Sequence, residues 1–174
     1  KEWSIPVENF VRQISIPTPS DSRERRLDED EEIKLLTACQ QSPTPSLSVA
    51  VNLALDTGMR RGEIAGLKWG DIDFNKKIIT LRRTKNGDRR SVPMSCAAED
   101  ALRKIASESN GKVFSFHDSN GLGAAFTRAC KRAEIEDFRF HDLRHEAASR
   151  FAPHMHVTTL AKLMGWRSIQ MAMR

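Results

Sequence analysis

Tyrosine is absent from the 174-residue chain, cysteine occurs three times, and no apolar run approaches the length of a membrane-spanning helix, which takes about 20 residues. A membrane role is therefore not expected. Cys39, Cys96 and Cys130 form no CxxC pair and each falls in an apolar helical context, so they are read as reduced, inert core thiols. The opening KEWSIPVENF lacks the basic, apolar and small-residue order of an export signal, and a cytoplasmic protein is expected. No internal repeat or low-complexity tract stands out.

What the chain does have is an ordinary globular balance, 29% charged and 39% hydrophobic residues, at a length suited to one core. Its net charge of +5 is the kind of surplus that polyanion-binding surfaces carry. A charge run by itself is more often a solvated face. Here the cations are grouped: Arg23, Arg25 and Arg26; Arg60 and Arg61; Arg82, Arg83, Lys85, Arg89 and Arg90; Arg128, Lys131 and Arg132. Four such clusters favour a phosphate backbone as the partner.

The polar run PTPSDSRERR cannot hold a regular element past Pro17, so residues 1–26 read as an interdomain linker. LDEDEEIKLLTACQQ supplies a helix start, with Asp28 as cap, Glu31 three residues later, and Ile33, Leu35 and Leu36 as the apolar face. A second helix is expected from Leu47 to Asp56. After a turn at Gly58, where Arg60 sits, a third should point Ile64 and Leu67 inward. The period then becomes extended: GDIDF, KKIITLRRT and RRSVPMS predict a three-stranded meander, with Asn86-Gly87 at the tight turn. Helices return at AAEDALRKIASES, GLGAAFTRACKRAEI, HDLRHEAASRFA and VTTLAKLMG. Gly165 is a stop for the last of these, and Ser168 a cap for IQMAMR. The expected fold is mainly α with one small three-stranded antiparallel β-sheet.

His141, Arg144 and His145 stand at i, i+3, i+4 and are expected on one helix face. Three readings compete: a solvated or capping face, a zinc site on the H-x-x-x-H spacing, and an oxyanion site. Zinc has two faults. Asp142 stands where the zinc peptidase motif has Glu, and Arg144 would set a guanidinium on the metal's own face. For an oxyanion, arginine offers a planar fork of donors and histidine a proton near neutral pH.

TGMRRGE followed by LKWGDID, then TKNGDRRSVPMS, HDLRH and LMGWRSIQMAMR, resemble in order and spacing the boxes of the tyrosine recombinase family, the phage integrases and Xer-like recombinases. The resemblance covers nearly the whole chain. It implies the DNA breaking-rejoining catalytic domain fold over residues 27–174, preceded by the end of an N-terminal core-binding domain. It assigns Arg60, Lys85, His141 and Arg144 to catalysis, with Trp166 in the place most members give to a second histidine. His145 becomes a supporting residue. Glu63, three residues after Arg60, either braces that guanidinium or is a surface acid, and Trp166 is either an indole donor at the site or a core tryptophan. Arg25, Arg61, Arg82, Arg83, Arg89, Arg90 and Arg128 are expected on DNA.

The implied chemistry needs no metal or other cofactor. Arg60 and Arg144 would stabilise charge on the non-bridging phosphate oxygens, Lys85 would protonate the leaving 5′ oxygen, and His141 would assist proton transfer on the nucleophile side. The family nucleophile is a tyrosine that forms a 3′-phosphotyrosine link. This chain has none, and the pattern places it just after Arg174. The resemblance thus implies a site-specific recombinase catalytic domain whose nucleophile lies outside these residues, with double-stranded DNA and other recombinase protomers, a tetramer on DNA, as partners. A type IB topoisomerase shares the chemistry but not the box spacing. The alternative from another class is a non-catalytic DNA-binding module derived from an integrase. The four catalytic residues are expected to converge on one anion-sized site with Trp166 at its rim.

Overall fold

A computed structural model describes residues 25–82, 89–106 and 111–171. In order, the elements are α1 (Glu29–Gln40), α2 (Leu47–Thr57), α3 (Arg61–Ala65), β1 (Ile72–Asp73), β2 (Ile78–Leu81), β3 (Arg90–Pro93), α4 (Cys96–Lys104), α5 (Ser119–Arg132), α6 (Asp142–Phe151) and α7 (Val157–Met164), with short 3-10 turns at Trp69–Asp71, Ala152–His154 and Ile169–Met171. The described chain is mainly helical with one antiparallel sheet of order β1-β2-β3. No helix among the described residues is long and apolar enough to cross a membrane.

α2 is the centre of the core. Leu47, Ala50, Val51, Leu53, Ala54 and Leu55 are all buried, as expected of a helix that is apolar nearly all round. α1, α4, α5 and α6 each pack on it. α1 begins as its sequence foretells: Asp28 accepts from the Glu31 N–H at 2.7 Å, and Glu31 accepts from the Asp28 N–H at 3.3 Å, a reciprocal capping box. Its buried face is Leu35, Ala38 and Cys39, so Ile33, expected inward, points to solvent at 65% exposure.

In the sheet, Ile79 of β2 pairs with Ile72 on one side and Val92 on the other, which puts the apolar members of all three strands on the core face. The turn expected at Asn86-Gly87 lies outside the described residues. Two of the three thiols are buried, and burial pushes Cys39 up to about 12 and Cys130 up to about 11. Cys96 departs from the expectation. It is the first residue of α4, exposed, with Lys77 Nζ 3.4 Å from its Sγ. A helix's first turn has no partner face to bury it when the buried positions are Ala98 and Leu102.

Candidate active site

Two helices end within reach of one guanidinium. α2 closes on Gly58 (φ 61°) and α7 on Gly165 (φ 62°), both in the left-handed region that a glycine enters without a Cβ penalty. The last carbonyls of a helix lack intrahelical donors and carry the negative end of its dipole. Arg144 serves both ends: Nη1 donates to the Gly58 carbonyl and Nη2 to the Met164 carbonyl. The residue is only 4% exposed. Burial pushes its pKa down to about 9, Arg60 and Arg90 push the same way, and Glu63 opposes them. It is a buried cation at neutral pH.

Arg60 arrives from the other side, at the N-cap of α3. Its Nη2 donates to the Gly165 carbonyl at 3.2 Å, so Arg60 and Arg144 hold successive carbonyls of one turn, although 84 positions separate them in the sequence. Glu63 is a brace and not a surface acid: its side chain is 6% exposed, Oε1 accepts from Arg60 Nη1 at 3.1 Å, and Oε2 accepts from the Arg60 backbone N–H at 2.7 Å. That second contact is the glutamate half of a capping box, which is why a glutamate three residues into this helix turns back to its start.

His141 and His145 stay exposed at the start of α6, their rings edge to face with centroids 5.1 Å apart. The three residues of HDLRH do not share one face as expected. Positions i+3 and i+4 fall on opposite sides of i around a helix, so Arg144 turns under α6 into the core while His145 lies beside His141. The protein crowded against the exposed His141 ring lowers its pKa by desolvation, and His145, Arg144 and Arg60 add to this against Asp142. Phe140, the preceding residue, packs edge-on against Phe126 of α5 at 5.1 Å and so anchors the entry to the helix. Trp166 is half-buried beside Leu160 and Met164, and the Arg144 guanidinium carbon lies 5.9 Å from its ring centroid, within cation–π range.

The structure thus brings together Arg60, Glu63, His141, Arg144 and Trp166, with His145 adjoining. Lys85 and Arg83 lie outside the described residues. Of the residues expected on DNA, Arg61, Arg82, Arg89 and Arg128 are exposed. Arg61 lies along α5, with Nη2 donating to Asn120 Oδ1 at 3.3 Å, and Arg82 pairs with Asp71 at 3.1 Å. Two are turned inward instead. Arg25 donates to Glu31 at 2.8 Å and stacks over Phe138 at 5.6 Å. Arg90 leaves only 8% of its side chain exposed and grips Glu63 with both Nη1 (3.0 Å) and Nη2 (2.8 Å).

Arg90 is the member of this group that the motifs did not single out. The signal was the alternation of β3: Arg90 and Val92 stand two apart, and Val92 is fully buried, so Arg90 shares the inward face. Around one carboxylate there are therefore three guanidiniums, and the cluster carries a positive surplus. Among the described residues, no three His, Cys, Asp or Glu side chains come together as a metal site.

The phage integrase family model matches residues 25–174. The shufflon-specific DNA recombinase of Escherichia coli is 38% identical over 175 residues, covering 99% of this chain and 45% of that protein. The catalytic domain of bacteriophage HP1 integrase superposes with a TM-score of 0.70 at 31% identity, covering 85% of this chain and 84% of that one. A lambda integrase dimer bound to a COC′ core site gives 0.70 at 25% identity over 84% and 59% of the two chains. The chain spans about half the length of the curated relatives it matches. With the tyrosine recombinase catalytic fold in place and the match running through every box described above, the chain belongs to the phage integrase family.

Proposed function

We propose that residues 27–174 are the catalytic domain of a site-specific DNA recombinase, and that the longer protein cuts and rejoins strands through a 3′-phosphotyrosine intermediate. The observation that carries this reading is the surplus of buried positive charge. The Arg60, Arg90 and Arg144 guanidiniums lie around the Glu63 carboxylate, Arg90 and Arg144 largely buried, and this positive surplus favours an anion as the ligand of the site. A scissile phosphate supplies that anion.

In this reading the Arg60 and Arg144 forks bind the non-bridging oxygens and stabilise the charge that grows there in the transition state. His141, held neutral by its surroundings, accepts the proton of the attacking hydroxyl. Trp166 packs on Arg144 and keeps its plane fixed. Lys85 protonates the leaving 5′ oxygen. The attacking tyrosine comes from beyond the 174 residues, none of which is tyrosine. Exposed Arg61, Arg82, Arg89 and Arg128 track the flanking backbone of the duplex, and the longer protein acts in the cytoplasm with further protomers bridging the DNA.

The test is a chain extended past Arg174 through a tyrosine, incubated with nicked duplexes of pooled sequence and resolved under denaturing conditions. A covalent protein–DNA band is expected, and Arg60→Ala or Arg144→Ala should abolish it. Duplex binding with no covalent band would favour the non-catalytic module. A band that survives loss of both arginines would overturn the site assignment.

A further inference from the structure

Glu63 has two oxygens and four donors. Arg90 takes the chelating edge with both terminal nitrogens, while Arg60 reaches the same carboxylate with one terminal nitrogen and its backbone N–H. We propose that Arg90 is a positioning residue for phosphate binding: by occupying the two-point edge of Glu63 it prevents that carboxylate from closing on Arg60, whose fork stays turned toward the Met164–Gly165 turn and the substrate. The inference rests on the phosphate-binding role proposed for Arg60.

Arginine and carboxylate prefer a parallel two-bond arrangement when nothing competes. With Glu63 three residues along the same short helix, Arg60 is its nearest available cation, and a two-bond pair between them would consume the donors a phosphate needs. Arg90 comes from β3, across the site, and is held there by packing. A Cβ on Gly165 would fall 2.7 Å from Arg90 Nη1 and 3.2 Å from Cδ, so the glycine at that cap lets the arginine pass close against the backbone. Stability alone is a poor reason for the arrangement. Arg90 Nε is buried without a partner among the described residues, and burial acts against its charge. Well-packed apolar residues usually serve a fold as well as a buried ion pair does.

The experiment is a set of affinities of the full chain for a fluorescein-labelled duplex of about 20 base pairs, at fixed salt. Arg60→Met should weaken binding about tenfold, the loss of one charge-assisted contact. Arg90→Met should weaken it comparably in the parent but by less than about twofold in the Arg60→Met background, since its effect passes through Arg60. Glu63→Gln together with Arg90→Met should restore affinity, because the carboxylate that would capture Arg60 is gone. A purely structural Arg90, or one that touches DNA itself, gives equal losses in both backgrounds and no rescue, and either result overturns the proposal. Should Arg90→Met fail to fold, Arg90→Lys, which keeps the charge without the two-point grip, carries the same cycle. If Arg60→Met leaves affinity unchanged, the phosphate-binding reading itself fails, a distinct outcome.

Discussion

Substituting Gly58 by alanine tests how the arginine site is built into the helix ends. The added methyl would stand 2.7 Å from Met164 Sδ, 2.8 Å from Met164 Cε and 3.5 Å from Ala147 Cβ, on a backbone with φ near +61°. A non-glycine residue in the left-handed region costs about 1–2 kcal/mol. Overpacking a filled core costs about 1–3 kcal/mol more. Met164 is fully buried and its flexible end has little room to yield, so a total of about 3 kcal/mol is expected. For a chain of this size that is a drop in Tm of about 6–12 °C. Urea unfolding supplies the free energy, and a double-mutant cycle supplies the cause. Met164→Ala alone should cost about 2–5 kcal/mol through the cavity it leaves. In the double variant the new methyl enters that cavity, so the pair should be less destabilised than the sum by at least about 1 kcal/mol. Because the Gly58 carbonyl holds Arg144, DNA affinity should fall along with stability. A Gly58→Ala protein within about 0.5 kcal/mol of the parent, or strictly additive losses, would refute the reasoning.

Three further outcomes are expected. His141 has its pKa lowered from 6.5, so the folded state resists protonation: its contribution is complete above the unfolded value and is lost as pH falls from 6.5 through the folded pKa; His141→Gln should remove that slope from stability measured against pH. Glu146 is buried in α6, and the Arg26 and Arg150 guanidiniums outweigh the upward push of burial and hold its pKa below 4.5, so Glu146→Gln should cost about 1–2 kcal/mol at neutral pH, a difference that fades as pH falls through the folded value; urea unfolding at both pH values decides it. Arg61→Ala and Arg128→Ala should each reduce the slope of log affinity against log salt by about 0.9, and an unchanged slope would remove that residue from the phosphate-contacting set.

Local chemistry was legible along the chain wherever a pattern repeats at short range. The capping box of α1, the glycine stops at Gly58 and Gly165 and the three-stranded meander follow from signals within a few residues of one another. The arginine boxes were legible as well, since each is a contiguous run. The direction in which a side chain turns was less accessible. Ile33 faces solvent because the neighbouring helices cover only Leu35, Ala38 and Cys39, and Cys96 is exposed because α4 buries its next turn instead. Those choices belong to packing partners far along the chain.

The same division runs through the site. Composition and spacing determined that the protein is basic and mostly helical, and the resemblance of its boxes to those of a known family pointed to Arg60, His141 and Arg144. Only the tertiary structure decided that Arg25 pairs with Glu31, that Arg144 bridges the ends of α2 and α7, and that Arg90 grips Glu63 with both terminal nitrogens. A guanidinium's role depends on which carbonyl or carboxylate is within about 3 Å of it, and that distance is set by elements that meet across the core.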